Sequence, residues 1–98
     1  MKHPAIETVA LSQVLYALSD PVRLAVVRQL AKDGEATCAA LDAGRPKSTM
    51  SHHFRVLREA GVLATRTDGT AHVNELRRED LERRFPGLLV AILAAGVE

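Results

Sequence analysis

With 98 residues, 47% of them hydrophobic but only one Tyr, two Phe and no Trp, the chain has room for one domain with an aliphatic core. Its single cysteine, Cys38, excludes an internal disulfide and fits a reducing compartment. The formal net charge of +1 argues against a partner chosen by bulk charge; no signal-peptide pattern opens the chain and no apolar run nears membrane-spanning length, so a cytoplasmic protein without a membrane partner is expected.

Residues 4–18 read as a first helix. Ile6, Val9, Ala10, Leu11, Val14, Leu15, Tyr16, Ala17 and Leu18 cover most of its wheel, and Thr8 and Ser12 hold the polar strip. An apolar arc wider than one core requires predicts burial on two sides. In a domain this small, apolar surface beyond one core points to self-association. Ser19-Asp20-Pro21 marks a second start, a capping residue followed by proline at the first helical position, and Asp33-Gly34 marks its end. Thr37 can cap a short third helix from Cys38 to about Ala43.

Gly44-Arg45-Pro46-Lys47 then forms a turn into the most informative stretch, Ser48 to Gly61. Ser48 is expected as its N-cap and Gly61 as its left-handed stop. Met50, Phe54 and Leu57 form a narrow apolar stripe with His53 at its edge, while Ser48, Thr49, His52, Arg55 and Glu59 face outward. The outward face is either a solvated surface or a set of hydroxyls, imidazole and guanidinium suited to phosphates and base edges. Two short helices joined by a glycine-containing turn over 37–61 make a helix-turn-helix unit. A basic strip of Arg45, Lys47, Arg55, Arg58 and Arg66 surrounds it.

Over 62–76 the pattern becomes extended, with Asp68-Gly69 between β-prone runs predicting a hairpin, or wing. Val73 and Leu76 are three apart, so the second strand is expected to end or bulge near Asn74. Arg77 to Arg84 is a charged helical turn or two. Pro86 breaks the chain, and a last apolar helix is predicted over 86–95, ending at Gly96. The reading as a whole is one domain over 1–98, mostly α: a winged helix-turn-helix of five to six helices and a two-stranded hairpin, pairing as a homodimer through the helices at 4–18 and 86–95.

Leu18-Ser-Asp-Pro-Val-Arg-Leu24, followed by Ser48-Thr-Met-Ser-His-His-Phe-Arg-Val-Leu-Arg-Glu-Ala-Gly-Val62 and a glycine-containing wing, resembles the ArsR/SmtB family of bacterial transcriptional repressors. The resemblance covers nearly the whole chain. It implies a homodimer on double-stranded operator DNA, released by an effector, with two recognition helices in successive major grooves about 34–36 Å apart. Thr49, Ser51, His52 and Arg55 are then expected to contact bases or phosphates, with Ser48 near a phosphate. Arg45 and Lys47 would approach the backbone from the turn, and Arg66 and the wing tip would reach the adjacent minor groove. Ile6, Val9, Leu11, Val14, Leu89, Ile92 and Leu93 are the expected dimer contacts.

The resemblance stops short of the family's metal sensors. The stretch corresponding to their Cys-x-Cys site holds Cys38 alone, and the last helix lacks the Asp, His and Glu set of the other site. One thiolate cannot complete a tetrahedral site, so no cofactor is expected and the effector is left open. A metal role would need unusual ligands such as His3, His72 or Cys38. Cys38 reads as a small apolar filler or as a redox switch beside a helix start. No nucleophile–base arrangement or phosphate loop suggests an enzyme. The rival to DNA binding is a winged helix that binds protein or RNA, but the outward face lacks the exposed aromatics a protein partner would favour.

Overall fold

In the computed structural model, which describes residues 1–95, the N-terminal segment is not the single helix expected over 4–18. A 3-10 turn at Ile6–Thr8 is followed by extended backbone at Val9 and Ala10, and a helix, α1, spans only Leu11–Ala17. The break has one distant cause and one local cause. Arg84, far along the chain, donates through Nε and Nη2 to the Val9 carbonyl at 3.3 and 3.1 Å. The Gln13 side chain accepts the Ala10 N–H at 2.8 Å, starting α1 afresh. Ile6 and Val9, 2% and 1% exposed, thereby turn into the core of their own subunit.

Helix α2, Pro21–Asp33, begins as its sequence predicts, with Asp20 Oδ1 accepting the Val22 and Arg23 N–H groups and Pro21 at the first position. It ends at Gly34, φ 87°. A short strand, β1 (Glu35–Thr37), comes next and was absent from the sequence reading. Thr37 Oγ1 then accepts the Ala40 N–H to cap α3, Cys38–Asp42.

Helix α4, Lys47–Glu59, starts two residues earlier than the expected Ser48 cap allows. Pro46 is the cap: its ring holds φ at −59°, ψ is extended at 138°, and its carbonyl accepts the Met50 N–H. The helix closes as predicted. Gly61 (φ 74°) donates to the Arg58 carbonyl and Val62 to the Leu57 carbonyl, the paired bonds of a Schellman motif. A Cβ on Gly61 would lie 3.0 Å from Val9 Cγ2 and 3.3 Å from Ile6 Cδ1. Gly61→Ala is therefore expected to cost about 1–2 kcal/mol for the left-handed backbone, and more for displacing Val9. A urea midpoint equal to wild type would contradict this reading of the joint.

The wing is β2 (Leu63–Asp68) and β3 (Ala71–Leu76), joined through Gly69 and Thr70 with Gly69 at φ 61°. Strand β1 adds to its far side, so the sheet has three antiparallel strands in the order β1-β3-β2, not two. Strand β3 does not stop or bulge near Asn74. Its register runs unbroken from Asp68↔Ala71 to Leu63↔Leu76. Asn74 is fully buried on the face it shares with Leu76, and Val73 is buried on the other, so the strand is covered on both faces at this point and needs no bulge.

Helix α5 spans Arg78–Arg84, and α6 covers Leu88–Ala94. Pro86 lies in the turn between them, and Gly87 (φ 80°), with its N–H bonded to the Glu82 carboxylate, opens α6 later than expected. The expected stop at Gly96 lies outside the described residues. The core joins Val26, Val27 and Leu30 of α2 to Met50, Phe54 and Leu57 of α4, with Val14, Ala17, Leu63, Leu81 and Leu89 around them.

Candidate nucleic-acid interface

Because Met50, Phe54 and Leu57 sink into the core, the opposite side of α4 is forced outward. Lys47, Ser48, Thr49, Ser51, His52 and Arg55 are all exposed there, and Arg45 is half-buried in the turn just before the helix. Among the described residues no carboxylate pairs with Arg45, Lys47 or Arg55. The first turn of α4 has no side-chain cap, so its N–H groups also point to solvent. Hydroxyls, cations and uncapped amides thus share one exposed face, with Glu59 toward its C-terminal end.

Arg66, expected on DNA, is committed elsewhere in this structure. It donates from Nη1 and Nη2 to the two carboxylate oxygens of Glu35 at 2.9 and 3.0 Å across the sheet. The guanidinium holds the Glu35 carboxyl below its ordinary range. Both side chains remain half exposed, and such a pair contributes little that a phosphate could not replace.

Two residues within the sequence motifs have roles that periodicity did not expose. Arg23 is 5% exposed, and each of its three guanidinium nitrogens has a partner. Nε donates to the Ala17 carbonyl at 2.7 Å, Nη2 to the Tyr16 carbonyl at 3.3 Å, and Nη1 meets His53 Nδ1 at 3.2 Å. Tyr16 stacks its ring against the same group, 5.2 Å from the guanidinium carbon. Since Arg can only donate, Nδ1 accepts and the His53 proton sits on Nε2. His53, at the edge of the apolar stripe, is buried at 8% exposure and hydrogen-bonded, whereas His52 is exposed. Asn74 is the second. Its Oδ1 accepts from Thr65 Oγ1 at 2.7 Å, and its Nδ2 donates to the Ala36 carbonyl and to Cys38 Sγ, both at 3.3 Å. One amide therefore joins all three strands to the start of α3.

His3, a conceivable metal ligand in the sequence, uses Nε2 to accept the Thr65 N–H at 2.9 Å. Cys38 is half-buried and His72 is exposed on the wing. Among the described residues no three His, Cys, Asp or Glu side chains are grouped to hold a metal ion.

Both His3 and His53 have pKa values below the ordinary 6.5. Burial is the main cause for each, aided at His3 by the Arg77 charge and opposed at His53 by the Asp20 carboxylate. The unfolded chain then binds protons first as the pH falls. Stability is full above about 6.5 and is lost below it, until the folded-state imidazoles also protonate. Thermal melts should show a falling midpoint through this window, and a His3→Gln, His53→Asn double variant should flatten it. A flat wild-type profile would mean these imidazoles are not held neutral.

The expected dimer residues divide. Ile6, Val9, Val14 and Leu89 are at most 6% exposed and belong to the subunit's own core, because the break at Val9 and the turn at Gly87 rotate them inward. Leu11, Leu15 and Tyr16 on α1 are 46%, 46% and 61% exposed, and Val90 on α6 is 66% exposed. Ile92 and Leu93 are half-buried, and α6 rests chiefly on α5. No helix among the described residues is long and apolar enough to cross a membrane.

Comparisons with known proteins give a consistent set of likenesses. Residues 18–66 match the helix-turn-helix domain family. The chain is 40% identical over 81 residues to the HTH-type transcriptional regulator YceK of Bacillus subtilis, covering 80% of this chain and 81% of that one. It is 33% identical over 73 residues to the arsenical resistance operon repressor of Staphylococcus xylosus, covering 74% and 70%. Among solved structures, it resembles a possible transcriptional regulator for arsenical resistance with a TM-score of 0.66 at 31% identity, over 91% of this chain and all of that one. The transcriptional repressor BigR from Xylella fastidiosa superposes with a TM-score of 0.65 at 29% identity, over 88% of each chain.

Proposed function

The chain belongs to the ArsR family of helix-turn-helix transcriptional regulators, and we propose that it acts as a homodimeric repressor on operator DNA. The observation that carries this reading is the exposed face of α4, where Lys47, Ser48, Thr49, Ser51, His52 and Arg55 gather and, among the described residues, neither Lys47 nor Arg55 is ion-paired to a carboxylate. Regulators of this family bind DNA, and this face has the cations for phosphates and the short polar groups for base edges. Arg45 would approach the DNA backbone from the turn, and Arg66 would exchange Glu35 for a phosphate as the wing approaches.

The dimer contacts are Leu11, Leu15 and Tyr16 of α1 with Val90, Ile92 and Leu93 of α6. Apart from Met1, these include the large apolar side chains left exposed among the described residues of the single subunit. The effector is something other than a metal ion at the family's usual sites, since the donor sets are missing from the sequence. A Cys38-based response is the second reading, favoured by the contact of its sulfur with the Asn74 amide. Under it, peroxide should release DNA from wild type and spare Cys38→Ala.

The primary test is selection of bound fragments from genomic DNA, with binding followed by anisotropy. A palindromic or near-palindromic consensus supports the reading; retention of no duplex over heparin competition refutes it. Lys47→Ala should weaken binding to all sequences alike and reduce the salt slope by roughly one unit. Arg55→Ala should instead relax discrimination at one half-site position by about 1–3 kcal/mol. Unchanged slope or unchanged competition by scrambled DNA would remove the respective residue from the interface.

A further inference from the structure

We infer that Arg23 is a positioning residue for DNA reading: bound to the last carbonyls of α1 and to His53 of α4, its guanidinium fixes the roll of α4 against α1. The inference rests on the DNA-binding reading above and adds a coupling that the family likeness does not specify. Tyr16, exposed on the proposed dimer face, supplies both a carbonyl to the guanidinium and a ring beneath it. His53 is adjacent to His52 and one turn or less from Thr49, Ser51 and Arg55 on the DNA side. A shift of α1 at the dimer interface is therefore transmitted to the reading face through one side chain. The reverse path is equally short.

The link has a chemical condition. His53 Nδ1 accepts the Arg23 bond only while it carries no proton. Protonation turns the acceptor into a donor and sets a cation against a buried guanidinium. Around the imidazole stand Asp20 at the start of α2, Arg23 of α2, Arg45 in the turn before α4, and His52 on α4 itself. Asp20 favours the protonated form, whereas burial, Arg23, His52 and Arg45 oppose it, and the opposition prevails. The lock is closed at neutral pH and opens in acid.

The test uses a duplex selected by the wild-type chain from a random pool, and a scrambled duplex of the same composition. The readout is the ratio of affinities for the two, which loss of folded protein lowers for both and so leaves unchanged. Arg23→Lys keeps the charge but not the planar fork that reaches three acceptors; it should reduce the ratio about tenfold, the worth of one base pair. His53→Leu should do the same. His53→Asn, whose amide oxygen can stand where Nδ1 stood, should restore the ratio. On going from about pH 7.5 to about pH 5.5 the wild-type ratio should fall further than that of His53→Asn; the two chains differ only at position 53.

Unaltered ratios in Arg23→Lys and His53→Leu, or a pH profile shared by wild type and His53→Asn, would overturn the inference while leaving DNA binding intact. Failure of the wild-type chain to select any duplex would overturn the DNA reading itself, and this inference with it.

Discussion

Leu15→Glu should leave the subunit folded but monomeric, and lower its affinity for a selected two-half-site duplex by about 10²–10⁴-fold. Leu15 is 46% exposed, so the carboxylate meets water in the free subunit and the core is undisturbed. In the proposed dimer the same carboxylate would be buried among Leu11, Tyr16 and the α6 side chains, where an unpaired charge is costly. The loss on DNA follows because the second recognition helix would no longer be delivered at high effective concentration. Light scattering and anisotropy on the same sample check both halves. A dimer that survives the change would move the interface away from α1.

Asn74→Leu should cost about 1–3 kcal/mol for the buried Thr65 hydroxyl left without its acceptor, with a smaller addition for the part-buried Ala36 carbonyl. That is a large share of the stability of a small domain, about 5–15 kcal/mol. Leu is close to Asn in shape, so lost packing is a minor part. Removing the other partner as well, in Asn74→Leu with Thr65→Val, should recover part of the loss, because a pair of apolar groups carries no orphaned hydrogen bond. Urea titrations measure both. A double variant no better than the single would assign the cost to the wing's backbone instead.

These residues show where the sequence was legible and where it was not. Helix α2 was readable at both ends because its signals are local: the Asp20 side chain bonds two adjacent N–H groups, and Gly34 takes a backbone shape few other residues tolerate. The close of α4 at Gly61 and the turn at Gly69 were readable for the same reason. The polar face of α4 followed from its stripe of Met50, Phe54 and Leu57. What escaped was decided by partners far along the chain. Arg84 captures the Val9 carbonyl and breaks the first helix. Strand β1 is three residues long and exists because β3 offers it an edge. Asn74 and Arg23 look like surface residues until their partners on other elements are placed. The burial of Ile6, Val9 and Leu89 within the subunit likewise goes with the break at Val9 and the turn at Gly87.

The arginines of this chain do unlike jobs, and that governs which replacements its relatives can carry. Arg23, Arg78 and Arg84 each reach a main-chain oxygen at a helix end or break, and Arg77 holds the Pro4 carbonyl along with Asp80. A flat, many-toothed head is needed at those places, so lysine is a poor substitute. At Arg45, as at Lys47, the proposed function asks only for a positive charge near a phosphate, and there arginine and lysine should interchange freely. Among homologous chains, then, positions that alternate between arginine and lysine trace the outline of the nucleic acid, and positions held strictly to arginine trace the joinery of the scaffold.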